Sequence, residues 1–419
     1  MSVAALAGMM SLAACSSDDI VSPADNDVQT IKIAVASTGD KSTRSRDLNS
    51  EEPGQNIENV AVVIRDKANK VVYQKVITDW QTASNIYTDN GHGREYTLKL
   101  EKGKRLKAGE YTITAVGYTA GDFKSNTILD ATEGNVAAGN FTAEEADGKA
   151  AQEAFAGESS INLLEDYAAI NPSVTLHRQV AGYYGYFTSI PVEVNSKKVT
   201  NVRLVARSKN TKLTYGNFNS NFTTTNDHIM YVVNGSEAAT TKDAKFNGSA
   251  ENDAYTLYNI KVADWFTHGD MNNDGILDEK DALIKDGWTN ALADKGYLTY
   301  QPGTIFAGGF AVPFAAADAA TLELQLLDVN GDILKSWTVA MATAQPTGQD
   351  VEKATLPAET VQNFSFFRNH MYTLGKKVDN TDKPGTTTPD EPEPLDKSQS
   401  MILRVNDNWE VINRMTIGD

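Results

Sequence analysis

Short runs of alternating apolar residues, separated by polar turn segments, recur along most of the chain and leave room for little besides β-structure. The first covers residues 28–38 (VQTIKIAVAST), where Ile31, Ile33 and Val35 share one face and Thr30 and Lys32 the other. A period of two is that of a half-buried strand. Residues 60–65 and 71–76 are two further runs, joined by Asp66-Lys67-Ala68-Asn69-Lys70, which predicts a β-hairpin. Strands are predicted at 96–100 and 111–118, the latter opened by the turn residue Gly109. Residues 125–170 are richer in Ala, Glu and Asp and predict one helix or a long crossover. A second series begins at Val174 and continues through 255–262, 304–313, 321–329, 333–340 and 371–378. At about 150 residues per domain, the 419 residues are read as an all-β chain. Two antiparallel sandwiches stand in series, over 28–173 and 174–378, with a small helical insertion near 263–297 and a detached C-terminal strand.

Charge and composition exclude several functions. The formal net charge is −17, so little would neutralise a phosphate backbone and no nucleic-acid partner is expected. One cysteine rules out a disulfide framework within the chain. His92, His177, His228, His268 and His370 fall into no zinc spacing, and the chain lacks a nucleophile elbow, a phosphate loop and a dinucleotide fingerprint. The expectation is that the protein is not an enzyme.

The amino terminus points to export. Residues 1–14 (MSVAALAGMMSLAA) are small and apolar, too short to span a bilayer, which needs about 20 apolar residues. They resemble the apolar part of a secretory signal. The run closes on Leu12-Ala13-Ala14-Cys15, which looks like a bacterial lipoprotein box with Cys15 as the lipidated residue; the alternative is a buried cysteine near a frayed end. The acidic Ser16-Ser17-Asp18-Asp19 that follows resembles a surface-export signal, and residues 1–27 as a whole read as signal and tether. The expected location is the cell outer membrane, with the lipid as the membrane contact.

Two further segments belong together. Residues 39–56 are almost devoid of apolar side chains and predict an exposed loop, within which Arg44 and Arg46 offer a site to an Arg-specific protease. Cutting there would release the 28–38 strand and open an apolar groove. At the other end, residues 379–399 carry Pro384, Pro389, Pro392 and Pro394 among acidic residues and read as an extended linker. Beyond it, Met401, Leu403, Val405, Trp409, Val411, Met415 and Ile417 place an apolar face on a strand over 400–419. Such a strand needs a groove. It docks on another copy by strand addition, with Leu403, Val405, Trp409 and Val411 as donor residues, or it returns as an ordinary edge strand of its own sandwich.

Residues 270–281 (DMNNDGILDEKD) follow a calcium-loop pattern. Asp270, Asn272, Asp274, Asp278 and Asp281 stand at loop positions that supply side-chain oxygens, and Ile276 would supply its carbonyl. Gly275 falls where the chain must turn sharply. Aspartate in place of glutamate at the last position resembles dockerin-type loops. A structural Ca2+ is expected here, the alternative being an acidic turn that binds nothing. Glu279 and the residues to 287 read as an exiting helix.

Taken in order, these features resemble the fimbrillins, or type V pilins, of Bacteroidetes. The lipoprotein box at Cys15, an early strand, and the loop with Arg44 and Arg46 come first. Leu176-His177-Arg178-Gln179-Val180-Ala181 is similar to the family's R-x-V-A signal, and Phe367-Arg368-Asn369-His370-Met371-Tyr372 to its R-N-x-x-Y strand. The acidic linker and the strand around Trp409 close the series. The resemblance implies transthyretin-like sandwiches, lipoprotein export and removal of the first strand by an Arg-directed protease, after Arg46 or alternatively Arg44. It also implies polymerisation with other pilin subunits by donor-strand exchange. Anchor and tip subunits depart from that plan, and the sequence leaves stalk, anchor and tip open. The competing reading is a surface lipoprotein that captures glycan or host protein without polymerising, with Trp80, Trp265, Trp288 and Trp337 as stacking platforms.

Overall fold

The computed structural model describes residues 28–35, 57–86, 94–146, 151–216, 232–281, 301–316, 321–341, 365–375, 391–397 and 401–406. Among these the chain is overwhelmingly β-structured, as the alternating runs predict. Two large sheets dominate. The first runs in the order Val71–Ile77, Asn59–Asp66, Gly109–Tyr118, Phe155–Leu163, Ser173–Arg178, Thr30–Val35, Arg94–Lys99, Asn85–Ile86. The second runs Tyr255–Lys261, Asn201–Ala206, Leu322–Leu327, Ile333–Met341, Met401–Asn406, Met371–Leu374, Ala181–Thr188, Thr304–Ala311.

Each sheet encloses its own core. In the first, Ile31, Ile33, Val35 and Leu98 meet Val60, Val62, Ile64, Ile113, Phe155 and Leu176. In the second, Tyr183, Phe187 and Ile305 meet Val202, Leu204, Leu322, Leu324 and Val339. The predicted hairpin is present, with Val60 opposite Ile77 and Ile64 opposite Tyr73.

A third core ties the two sheets together. Ala61, Val63, Val116 and Phe141 pack there with Tyr184, Tyr186, Tyr215, Phe306 and Phe310. Beside it lies a four-stranded sheet, Gly235–Ala238, Asn210–Thr214, Thr142–Glu145, Phe123–Asn126, to which both halves of the chain contribute. Lys212 stands opposite Glu144 and Leu213 opposite Ala143.

The structure departs from the sequence expectations at several points. Between 125 and 170 the described residues form a one-turn 3-10 segment, Thr127–Asp130, and then strands Thr142–Glu145 and Phe155–Leu163, rather than a helix. Small residues are needed there for close approach: a Cβ on Gly157 would lie 2.0 Å from the Thr175 carbonyl oxygen. Ser173–Arg178, read from sequence as the opening of the second half, pairs within the first sheet. The end of the Pro-rich linker is held too. Glu393–Pro394 pairs in parallel with Phe187 and Thr188, and Leu395 is fully buried. Beyond Asp281, the exiting helix expected to 287 lies outside the described residues.

The largest departure concerns the C-terminal strand. The pattern predicts a detached strand; residues 401–406 instead lie inside the second sheet, flanked on both sides. A strand on a tether returns readily to a groove in its own molecule, because the tether keeps its local concentration high.

Candidate functional site

The first strand sits in a slot. Thr30–Val35 runs parallel to Ser173–Arg178, with Lys32 opposite Ser173 and Val35 opposite Leu176. It runs antiparallel to Arg94–Lys99, with Thr30 opposite Lys99 and Val35 opposite Arg94. Ile31, Ile33 and Val35 are each 0% exposed. Burial of one such side chain stabilises by roughly 1.5–3 kcal/mol, so the apolar stripe is what fixes the register. At the strand's start the buried Gln29 carboxamide donates to the carbonyls of Leu106 (3.1 Å) and Ala168 (2.9 Å) and accepts the Leu106 N–H at 2.6 Å. Lys32 pairs with Glu95 at 2.7 Å on the exposed face. Withdrawing this strand would bare both neighbours and the core beneath them.

The C-terminal strand occupies a comparable slot. Met401, Ile402 and Leu403 pair in parallel with Val339, Ala340 and Met341. Arg404, Val405 and Asn406 pair antiparallel with Thr373, Tyr372 and Met371. Leu403 and Val405, expected in a detached donor, are therefore paired within the molecule. Trp409 and Val411 lie outside the described residues, as do Cys15, Arg44 and Arg46.

The two family-like motifs meet at the junction of the sheets, which the sequence alone did not reveal. Ala181–Thr188 and Met371–Leu374 pair in parallel, with Gly182 opposite Met371. The N–H of Asn369 donates to the Val180 carbonyl and that of Gly182 to the His370 carbonyl, both at 2.9 Å. Gln179 is buried; its Oε1 accepts Asn234 Nδ2 at 3.1 Å and Arg368 Nη1 at 3.4 Å. Arg178 is fully buried, its Nε and Nη2 lying 3.1 and 2.6 Å from Glu153 Oε1 and its guanidinium stacked over Phe155. Tyr372 stacks on Phe366 at 4.1 Å, and its hydroxyl donates to the Ser365 carbonyl. These residues build a joint between the halves.

The acidic loop is compact. Asp270 Oδ2 accepts the Gly275 N–H at 2.8 Å. The carboxylate of Asp281, 2% exposed, accepts the Met271 and Asp278 N–H groups at 2.8 and 3.0 Å. Gly275 and Asn273 take positive φ, as the turn requires. Ile276–Leu277 pairs with Ile190–Pro191, fixing the loop to the body. Asp274 is held below the usual carboxylate range by the Asn272 amide, the Ile276 N–H and Lys280. Lys280 Nζ lies 3.2 Å from Asp274 and 3.5 Å from Asp278. Among the described residues, no three His, Cys, Asp or Glu side chains converge closely enough to hold a metal between them. One atom is left over: Asp270 Oδ1 is buried and has no hydrogen-bond partner.

The tryptophans considered as stacking platforms are mostly internal. Trp80 and Trp337 are 1% and 7% exposed, and the half-buried Trp265 packs edge-on against Phe306 at 4.7 Å. Trp288 lies outside the described residues.

No family model matches the sequence, and no curated protein matches it. Solved structures of low identity align over most of the chain. A fimbrial assembly protein from Parabacteroides distasonis is 13% identical with a TM-score of 0.34, over 84% of this chain and 92% of that one. The fimbrial anchor protein of Porphyromonas gingivalis is 12% identical with a TM-score of 0.36, over 91% and 98%. A candidate adhesin from Bacteroides ovatus is 11% identical with a TM-score of 0.40, over 84% and 89%.

Proposed function

We propose that this protein is a structural subunit of a cell-surface fimbria, exported as a lipoprotein through Cys15 and joined to its neighbours by strand exchange. The observation that carries this reading is the seating of the first strand. Thr30–Val35 is an interior strand with a fully apolar buried face. Its covalent connection to the rest of the sheet runs through the segment bearing Arg44 and Arg46. Cleavage after Arg46, or after Arg44, cuts that connection and leaves only non-covalent contacts to hold the strand. A departing strand leaves two rows of unpaired backbone groups beside apolar core, which is the template that another strand of alternating pattern fills. The C-terminal strand of a second copy has that pattern. Exchange requires that strand to leave its own slot, or residues 407–419 beyond it to donate. The outer membrane anchors the precursor through its lipid, and the partners are an Arg-specific protease and further subunits.

The test compares the wild type with an Arg44→Ala/Arg46→Ala variant after exposure to an Arg-specific protease. The wild type should acquire a new amino terminus at Asp47 and form an SDS-resistant ladder; the variant should do neither. A ladder from uncut protein contradicts the reading.

We infer also that the 270–281 loop takes Ca2+ as a structural ion. The support is the buried, partnerless Oδ1 of Asp270 within a set of oxygens in calcium-loop register. Asp270, Asp274 and Asp281 would hold the ion by carboxylate, Asn272 by its amide oxygen, Ile276 by its carbonyl and Asp278 through water. Lys280 must swing away from Asp274 and Asp278, which keeps the affinity near the ~10⁻⁴–10⁻³ M of extracellular modules. Calorimetric titration with CaCl2 should give a saturable heat that Asp270→Ala removes; equal traces for the two proteins reject the site.

A further inference from the structure

Where the four-stranded joining sheet meets the second sheet, the molecule carries a cleft of about 680 Å³. That falls within the ~300–1,000 Å³ of small-ligand sites. Both halves of the chain supply its walls, Glu144 and Glu145 from the first and Lys209, Tyr255 and Phe310 from the second. The cleft shares no residue with either terminal strand.

Its chemistry centres on Glu145, which is 6% exposed. Oε2 lies 3.1 Å from Lys209 Nζ. Oε1 is buried with no hydrogen-bond partner. A buried acceptor left unmet is costly, more so when charged, so this oxygen is poised for a donor. Burial pushes the Glu145 carboxyl up from its ordinary range, with Lys209 opposing.

Three of the neighbouring hydroxyls are already engaged. The Tyr183 hydroxyl donates to the Leu257 carbonyl at 2.9 Å, the Tyr255 hydroxyl to the Ala239 carbonyl, and the Thr211 hydroxyl to the Glu237 carbonyl at 3.0 Å. The acids are matched as well. Glu144 pairs with Lys124 at 2.5 Å, Glu237 with Lys212 at 2.6 Å, and Asp243 feels the charge of Arg203. With Lys212 and Arg203 beside the lining, the four acids of the cleft face four cations, which leaves little net charge to select an ammonium group. What it offers instead is the unmet Glu145 acceptor and the exposed Thr240 and Thr241 hydroxyls, above a floor that includes Phe310 and Phe314. A neutral ligand with many hydroxyl groups and apolar C–H faces meets both conditions.

We propose that this cleft binds a neutral oligosaccharide, with Glu145 Oε1 accepting a sugar hydroxyl. The tryptophans offered by the sequence as platforms are not part of it. The experiment is saturation-transfer NMR on the full chain with maltotriose, cellotriose, mannotriose and chitotriose, and with 1,5-diaminopentane as the cationic comparison. At least one trisaccharide should bind saturably, and the diamine should not. Ala238→Trp and Thr241→Trp, both at exposed positions lining the cleft, should each abolish binding while leaving the far-UV spectrum unchanged. Glu145→Gln should weaken it about tenfold, because a carboxylate accepts more strongly than an amide. The proposal is overturned if no trisaccharide saturates, if the diamine binds in their place, or if binding survives the two tryptophan variants. Undiminished binding by Glu145→Gln overturns the role given to Oε1.

Discussion

Glu153→Ala is expected to destabilise the protein by roughly 3–5 kcal/mol, the cost of breaking a buried ion pair from one side. The reason is what remains. Arg178 is 0% exposed and has two donors on a single Glu153 oxygen; without that carboxylate the guanidinium stays charged and buried over Phe155. Replacing both partners with apolar residues, Glu153→Leu with Arg178→Met, should cost less than the single change, because both buried charges go together. Urea denaturation followed by tryptophan fluorescence measures both, with stability read from the midpoint at unchanged slope. A Glu153→Ala protein within about 1 kcal/mol of the wild type, on the scale of an exposed pair, would show that the other surroundings of Arg178 meet its charge.

Deleting residues 400–419 should abolish the SDS-resistant ladder formed after Arg-specific cleavage, and it should also loosen the second sheet. Both effects follow from one position. Met401–Asn406 separates Ile333–Met341 from Met371–Leu374, so its loss leaves two facing rows of backbone groups unpaired. A shorter deletion of 407–419 separates the two roles, because it leaves the paired segment in place. If residues 401–406 are the donor, the shorter deletion keeps the ladder; if the donor surface includes Trp409 and Val411, it loses it. A synthetic 400–419 peptide added to the longer deletion should restore the stability of the second sheet in trans. Gel electrophoresis without boiling reads the ladder, and hydrogen exchange at 333–341 reads the sheet. A full ladder from the protein lacking 400–419 would remove the C-terminal strand from assembly altogether.

The sequence discloses what is local and periodic. Ile31, Ile33 and Val35 announce a one-faced strand, and that face is buried. The 60–65 and 71–76 runs announce a hairpin, and they pair. Long-range pairing is not written in any local pattern. Nothing near Glu144 signals that it will stand opposite Lys212, or that Glu153 will neutralise Arg178. Segment 155–163 (FAGESSINL) hides its strand because Ala, Gly and Ser lack the usual β signal; at Gly157 a neighbouring strand comes too close for a Cβ. The C-terminal strand was legible as a strand, whereas its acceptor was not: one apolar face fits its own sheet or a sister's. The two motifs at 176–181 and 367–372 were visible as motifs only, and their meeting at Gln179 and Arg368 required the fold. The oligosaccharide cleft had no sequence signal, since its walls come from segments far apart in the chain.

The exchange of strands between copies is tested most directly with mixed isotopes. Equal amounts of 15N-labelled and unlabelled precursor are cleaved together, the ladder is isolated, and residues 401–419 are cross-linked to whatever lies beside them. Mass spectrometry should find labelled tail peptides joined to unlabelled acceptor strands about as often as to labelled ones. Cross-links confined to a single isotope, with the tail still beside 333–341 and 371–374 of its own chain, would contradict assembly by this strand.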